Sequence, residues 1–300
     1  MNHDHGHSLA EDLPLMHALV ARRRALKWFA GAGTAAMVAG CGGAGSDASA
    51  SSVTTVTGST ATPTPTPTAT ATPTPTATTT TGACIVDPTE TAGPYPGDGT
   101  NTASGSTSNV LTVSGIVRSD IRSSFISSTN VAGGVLLKIT LTLVNVNATC
   151  APLAGYAIYL WQADRQGRYS LYTAAAESYL RGVQVTDANG QVTFTTIFPG
   201  CYDGRWPHMH FEVFSSLSNA LSGRFSILTS QLAMPTAACT AVYADATTYP
   251  SSASNFARVS LSSDMVFGDN TSAQIAQQTP ALTGSPSAGY TGTALIGIAR

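Results

Sequence analysis

Short runs that alternate apolar and polar residues recur beyond residue 110, and this period of two most restricts the fold. "VLTVSGIVR" (110–118) and "VLLKITLTLVN" (135–145) put every second side chain on one face, as a half-buried strand does. "GYAIYLWQAD" (155–164) is another strand and ends in a polar turn at "DRQG". "VQVTD" and "QVTFTTIF" flank "DANG", a hairpin-type signal. "PHMHFEVF", "FSILTSQL" and "TGTALIGIAR" complete the strand set, and "ADATTYPSSASNFARVSL" reads as a short helix or irregular loop. Many short strands with Gly and Pro punctuation predict an all-β domain, an antiparallel sandwich or barrel.

The stretch before residue 83 does not read as globular. In residues 1–44, Arg22, Arg23 and Arg24 precede an apolar run from Trp28 to Ala39. That run is too short to span a bilayer and suits a signal segment. "RRRALK" fits a twin-arginine pattern, with Ala25 where a bulkier residue is commoner. The run ends in "VAGC", which resembles a bacterial lipoprotein box and implies lipidation and cleavage at Cys41. Plain secretion is the alternative. The histidines of "MNHDHGHS" sit in this discardable segment. Residues 45–82 contain "TPTPTPTATATPTPTATTTT", which cannot pack and predicts a disordered, polyproline-like tether. The expected organisation is a signal (1–44), a tether (45–82) and one β domain (83–300). The expected location is an exported lipoprotein, touching the membrane only through its signal and lipid. Charged residues make up 10% and the net charge is −2, so nothing suggests a surface for nucleic acid. Association into oligomers stays open.

Within 83–300 stand Cys84, Cys150, Cys201 and Cys239. An even number in an exported domain favours disulfides. The preferred pairing is Cys84–Cys150 with Cys201–Cys239, because the members of each pair lie in the same half of the domain. No pair has C-x-x-C spacing, which argues against a thiolate metal site.

The chemistry gathers in "GRWPHMHFEVF", 204–214. Alternation puts His208 and His210 on one face, while Met209, Phe211 and Val213 face a core. Beyond Cys41 the chain has no other histidine. Both imidazoles can reach one metal ion, but two ligands do not complete a site. Glu212 shares their face, which gives a His-His-Glu zinc site as one completion. Tyr202 in "FPGCYDGR" and Tyr169 in "QGRYSLY" give another. Phenolate is a hard, anionic ligand suited to Fe(III). Tyr172 and Tyr179 are rival tyrosines. Trp161 and Tyr159 read as packing residues, and Tyr95 as packing or pocket lining.

The pattern as a whole resembles the intradiol ring-cleavage dioxygenases. The resemblance starts at "DPTETAGPYPGDG", similar to the family's Glu-Thr-x-Gly-Pro-Tyr segment, and continues through "VRSDIRSS" and "GYAIYLWQADRQGRYS". It is strongest in "RGVQVTDANGQVTFTTIFPGCY" followed by "RWPHMHFEVF". The resemblance implies a β-sandwich holding non-haem Fe(III) through Tyr169, Tyr202, His208 and His210. Tyr202 would be the axial tyrosine, which leaves the ion and takes a substrate proton. Arg205, three residues before His208, fills the place of the active-site arginine and would stabilise negative charge near the ring. The implied reaction opens a catechol-type aromatic with O2 to a cis,cis-muconate-type diacid. Three features depart from the family. Only two residues separate Tyr202 from Arg205, Trp206-Pro207 replaces Pro-Ala, and signal and tether replace the N-terminal helical dimerisation region. Two other functions compete: a non-catalytic β-sandwich displayed on a lipidated stalk, and a His-His-Glu zinc enzyme.

Overall fold

The structure is a computed structural model that describes residues 84–300. The signal segment with Cys41, the N-terminal histidines and the tether lie outside the described residues. The strands are β1 (Leu136–Asn145), β2 (Ala151–Pro152), β3 (Ala157–Gln162), β4 (Arg181–Val185), β5 (Gln191–Ile197), β6 (His208–Phe214), β7 (Leu228–Ala233), β8 (Ala281–Ser285) and β9 (Gly289–Ile298). Short helices α1 (Thr236–Tyr243), α2 (Ser252–Phe256) and α3 (Ser272–Gln278) fall between β7 and β8. No helix of the described residues is long and apolar enough to cross a membrane.

Two sheets form. One runs β4-β3-β6-β7, antiparallel throughout. In the other, β1 pairs with β9, β9 with β8, and β2 and β5 also pair with β1. The antiparallel expectation needs one correction, because β1 and β9 run parallel, with Leu137 opposite Tyr290. Alternation fixes which face a residue takes but not strand direction, and a parallel pair needs a long crossover that leaves no local signal.

The period of two decides the packing. Leu137, Ile139, Leu141 and Leu143 of β1 meet Ile158 and Leu160 of β3 and Met209, Phe211 and Val213 of β6 in one core. The opposite face of the β3–β6 sheet is covered as well. Tyr159, Trp161 and Val183 pack there with Val110, Leu111, Ile116, Tyr169 and Leu171 from the connecting segments. Every position of β3 and β6 is therefore buried, although antiparallel sheets commonly leave one face in water.

Two local expectations fail for physical reasons. Residues 110–112 form a 3₁₀ turn rather than a strand, because Asn109 Oδ1 accepts the Leu111 N–H at 3.1 Å. The "DANG" turn closes, with Asp187 Oδ1 accepting from Asn189 and Gln191. The strands beyond it nevertheless part, β4 pairing with β3 and β5 with β1. The turn thus links sheets instead of closing a hairpin. The capped helix α3, with Thr271 and Gln274 in a reciprocal capping box, was not anticipated.

Residues 84–98 form a strap along β7 and over the covered face. Glu90 N–H donates to Thr229 O at 2.7 Å, Ser230 Oγ to Pro88 O at 2.8 Å and Gln231 Nε2 to Thr91 O at 2.8 Å. Asp87 Oδ2 accepts from Gly297 N at 2.7 Å. The strap begins at the Cys84–Cys150 disulfide, whose Cα atoms lie 5.9 Å apart. The second expected pair is corrected, since Cys201 and Cys239 are buried free thiols. Cys201 Sγ turns to the carbonyls of Tyr202 and Arg205, and Cys239 Sγ to that of Met234. Closeness in sequence does not make the sulfurs face each other.

Two measurements check this framework. Under denaturing, non-reducing conditions, peptide mapping should find Cys201 and Cys239 alkylated and Cys84 joined to Cys150. Cys84→Ala should lower unfolding stability by roughly 2–4 kcal/mol, read from denaturant titration.

Candidate metal centre

The strand β6 lays out the site. His208, His210 and Glu212 leave the sheet on its covered side. Across the ladder, His210 lies opposite Trp161 and Gln231, and Glu212 opposite Tyr159 and Thr229. Trp161 stacks on His210 with centroids 4.9 Å apart and planes 6° apart, and Tyr159 stacks on Trp161 at 4.8 Å. These rings hold the imidazole by its flat face. His208 Nδ1 lies 2.5 Å from the Trp206 carbonyl, so that nitrogen carries the proton and Nε2 presents its lone pair. Burial, joined by the nearby Arg205 charge, holds the His208 pKa well below its usual value, so the ring is neutral. His210 is neutral for the same first reason.

Tyr169 arrives from the turn after β3. Asp164 Oδ1 accepts the N–H groups of Gln166 and Arg168 and shapes that turn. Gly167 sits within it at φ +79°, where a Cβ would stand 2.8 Å from the Tyr202 Cβ. Glycine there permits both the left-handed backbone and the approach of the two tyrosine segments. Tyr202 leaves the short loop after β5, pinned because Cys201 N–H donates to Ser252 Oγ and Asn255 Nδ2 to Cys201 O.

The four side chains converge. Tyr169 Oη lies 3.3 Å from His208 Nε2 and 3.1 Å from His210 Nε2. Tyr202 Oη lies 3.2 Å from His208 Nε2, and the two Nε2 atoms lie 3.1 Å apart. His208 offers one lone pair to three neighbours. An ion about 2.0–2.2 Å from each donor, at interdonor angles of about 90–110°, sets the donors about 2.8–3.6 Å apart. The observed separations fall inside that range. Two imidazole nitrogens and two phenol oxygens form a hard, mixed N/O set that fits a highly charged ion. Burial raises the pKa of both phenols, and a bound cation reverses that preference. Among the described residues, no three of His, Cys, Asp and Glu gather as a metal-binding group. Only the tyrosines complete this one.

Arg205, 1% exposed, is clamped beside the donors. Nε pairs with Asp264 Oδ2 at 2.9 Å and Nη2 donates to Gln231 Oε1 at 2.7 Å. Its third nitrogen, Nη1, is buried without a partner. The strap closes the site from the other side. Gly93 (φ +70°) approaches so nearly that a Cβ would lie 3.3 Å from His210 Cε1. The Tyr95 ring packs 5.0 Å from Tyr169 and 5.2 Å from Tyr172.

The structure brings together Tyr169, Tyr202, Arg205, His208 and His210, and leaves the rivals apart. Tyr172 Oη donates to Asn101 Oδ1 at 2.6 Å, and Tyr179 Oη to Asp164 Oδ2 at 2.9 Å. Glu212 shares the histidine face but turns its carboxyl to Thr229 and Asp98, which removes the His-His-Glu arrangement. Burial and then Asp98 raise its pKa well above the usual carboxylate value. Asp264 and Gln231 were missed. A buried guanidinium demands a counter-charge, but the sequence does not say which aspartate supplies it. Trp161 was read as packing only.

Residues 130–209 match a family model described as Dioxygenase. No curated protein matches the chain. Two solved structures share its fold at a TM-score of 0.50, each over 72% of this chain and 95% of its own. One is an intradiol ring-cleavage dioxygenase from Tetranychus urticae at 24% identity. The other is a crystal structure of a dioxygenase at 26% identity. The dioxygenase domain of a carbohydrate-binding fusion from Streptomyces sp. SirexAA-E is less similar, with a TM-score of 0.43 and 22% identity over 72% of this chain and 99% of that one. In its matched segment and in its fold the chain is similar to the intradiol ring-cleavage dioxygenases.

Proposed function

We propose that the domain uses O2 and non-haem Fe(III) to open a catechol-type ring between its hydroxylated carbons, giving a cis,cis-muconate-type diacid. The observation that carries this reading is the convergence of two phenol oxygens and two neutral imidazoles within 3.1–3.3 Å. Tyr169, Tyr202, His208 and His210 would hold the ion. When bound, ferric iron supplies a hard Lewis acid that stabilises phenolate and catecholate oxygens and brings the ring into reaction with O2.

The protein's own groups divide the remaining work. The Trp206 carbonyl keeps the His208 proton on Nδ1, so Nε2 stays a ligand. Tyr202 is the half-buried member, whereas Tyr169, His208 and His210 are at most 2% exposed. Its Oη is the proposed acceptor for a substrate hydroxyl proton. Arg205 Nη1 is an unspent donor beside the reacting ring, where developing negative charge is best stabilised. The Arg181 guanidinium is already committed to Ser170, Tyr159, Pro96 and Tyr95. Tyr95 packs on Tyr169 and brings a second aromatic ring to the edge of the site. The Cys84–Cys150 disulfide supports an exported location, in keeping with a lipid anchor at Cys41.

Three measurements test the reading. Iron-loaded protein should be red-brown from tyrosinate-to-iron charge transfer, and the band should move when catechol is added. A colourless protein that ignores catechol overturns the proposal. Tyr202→Phe should keep iron while losing band intensity and about 10²-fold or more in kcat; unchanged colour and turnover would remove Tyr202 from the ligand set. Glu212→Gln should keep the iron and the spectrum, whereas a zinc site built on Glu212 would lose its metal. Because the folded Glu212 pKa is raised, the folded state keeps a proton the unfolded chain has released. Wild-type stability from this group is thus fully present below the unfolded pKa and is lost as pH rises towards the folded one. Glu212→Gln carries no such term, so its stability relative to wild type should improve from about pH 5 to pH 8.

A further inference from the structure

The loop that precedes α3 contributes one side chain to the site, Asp264, and it is fully engaged. Asp264 Oδ2 accepts from Arg205 Nε at 2.9 Å and from the Trp206 N–H at 2.6 Å. Oδ1 accepts from the N–H groups of Val266 at 2.8 Å and Phe267 at 3.1 Å. Both partners of the ion pair are at most 1% exposed. A buried guanidinium without a counter-charge is strongly unfavourable, so this pair is required once Arg205 lies beside the donors.

Position makes the pair more than a structural necessity. Nε is held by Asp264 and Nη2 by Gln231, which leaves Nη1 as the one nitrogen without a partner. The same carboxylate fixes the Trp206 peptide, whose carbonyl takes the Nδ1 proton of His208. It also fixes Phe267, whose ring stands edge-on to His208 with centroids 6.5 Å apart. One anion therefore sets the aim of the free guanidinium nitrogen.

We propose that Asp264 is a positioning residue for the ring-opening reaction, acting through Arg205 to keep Nη1 directed at the oxygen-bearing edge of the bound catechol. This rests on the dioxygenase reading given above. Asp264 touches neither substrate nor ion. Its charge holds Nε of Arg205 while Gln231 holds Nη2, which fixes the fork in one orientation.

A mutant cycle on the iron-loaded protein tests this, with turnover normalised to bound iron and the visible band recorded with and without catechol. Asp264→Asn should retain iron, lose about 10–100-fold in kcat and alter the band shift that catechol produces. Its KM should change by less than about threefold, because an interaction realised mainly in the transition state has been lost. Arg205→Gln and the double variant Arg205→Gln/Asp264→Asn should match each other within about twofold in kcat, since two residues acting through one contact are not additive. The double variant removes both buried charges together, so this arm survives if Asp264→Asn does not fold. A double variant about tenfold or more below Arg205→Gln would show Asp264 acting independently and overturn the inference. Asp264→Asn with wild-type kcat and band shift would overturn it too. A wild-type protein without the iron band would instead remove the dioxygenase reading, and this inference with it.

Discussion

The register between β3 and β6 is the constraint on which the site depends. With Trp161 opposite His210 and Tyr159 opposite Glu212, both histidines face the covered side while Met209, Phe211 and Val213 face the second sheet. A slip of one residue would exchange the two sets. It would bury both imidazoles among leucines and send the core residues towards the tyrosines. Aromatic stacking across the ladder favours this register, because the Trp161 ring lies flat against His210 opposite it.

A sheet buried on both faces must provide partners for every polar group on its functional side. The connecting segments supply them. Arg181 ties the strap carbonyls of Tyr95 and Pro96 to β4, Asp98 meets Glu212, and Asp264 and Gln231 bracket Arg205. The unpartnered atoms that remain include Arg205 Nη1 and His210 Nδ1. The first lies where the proposed chemistry needs a donor.

Several parts of this arrangement were legible before any coordinates. Strand alternation gave the shared face of the histidines, because a pleat is a local property. It also put Glu212 on that face, but not the turn of its carboxyl to Asp98, a residue more than a hundred positions earlier. Tyr169 and Tyr202 were candidates as oxygen donors near the histidines, and only motif resemblance set them above Tyr172 and Tyr179, since a phenol near a turn carries no periodic signature. The parallel pairing of β9 with β1, and Asp264 as partner of Arg205, are long-range choices made by the assembled fold. The cysteines divide in the same way. An oxidising destination favours bridges, yet whether Cys201 and Cys239 face each other is settled only by core packing.

The strap comes first in the described chain but is tied down by residues near its end. Asp87 is bonded to Gly297, and Glu90 to Asn270 and Gln278. All four proposed ligands lie between 169 and 210, so they can be gathered before those ties exist. The part of the strap over His210 is held by Gln231 and Arg181, and its start is fastened to the last strand through Asp87. The cover over the proposed ligands is thus locked from both ends of the chain, so loosening the last strand would free the start of the strap but leave the segment over His210 held by β4 and β7.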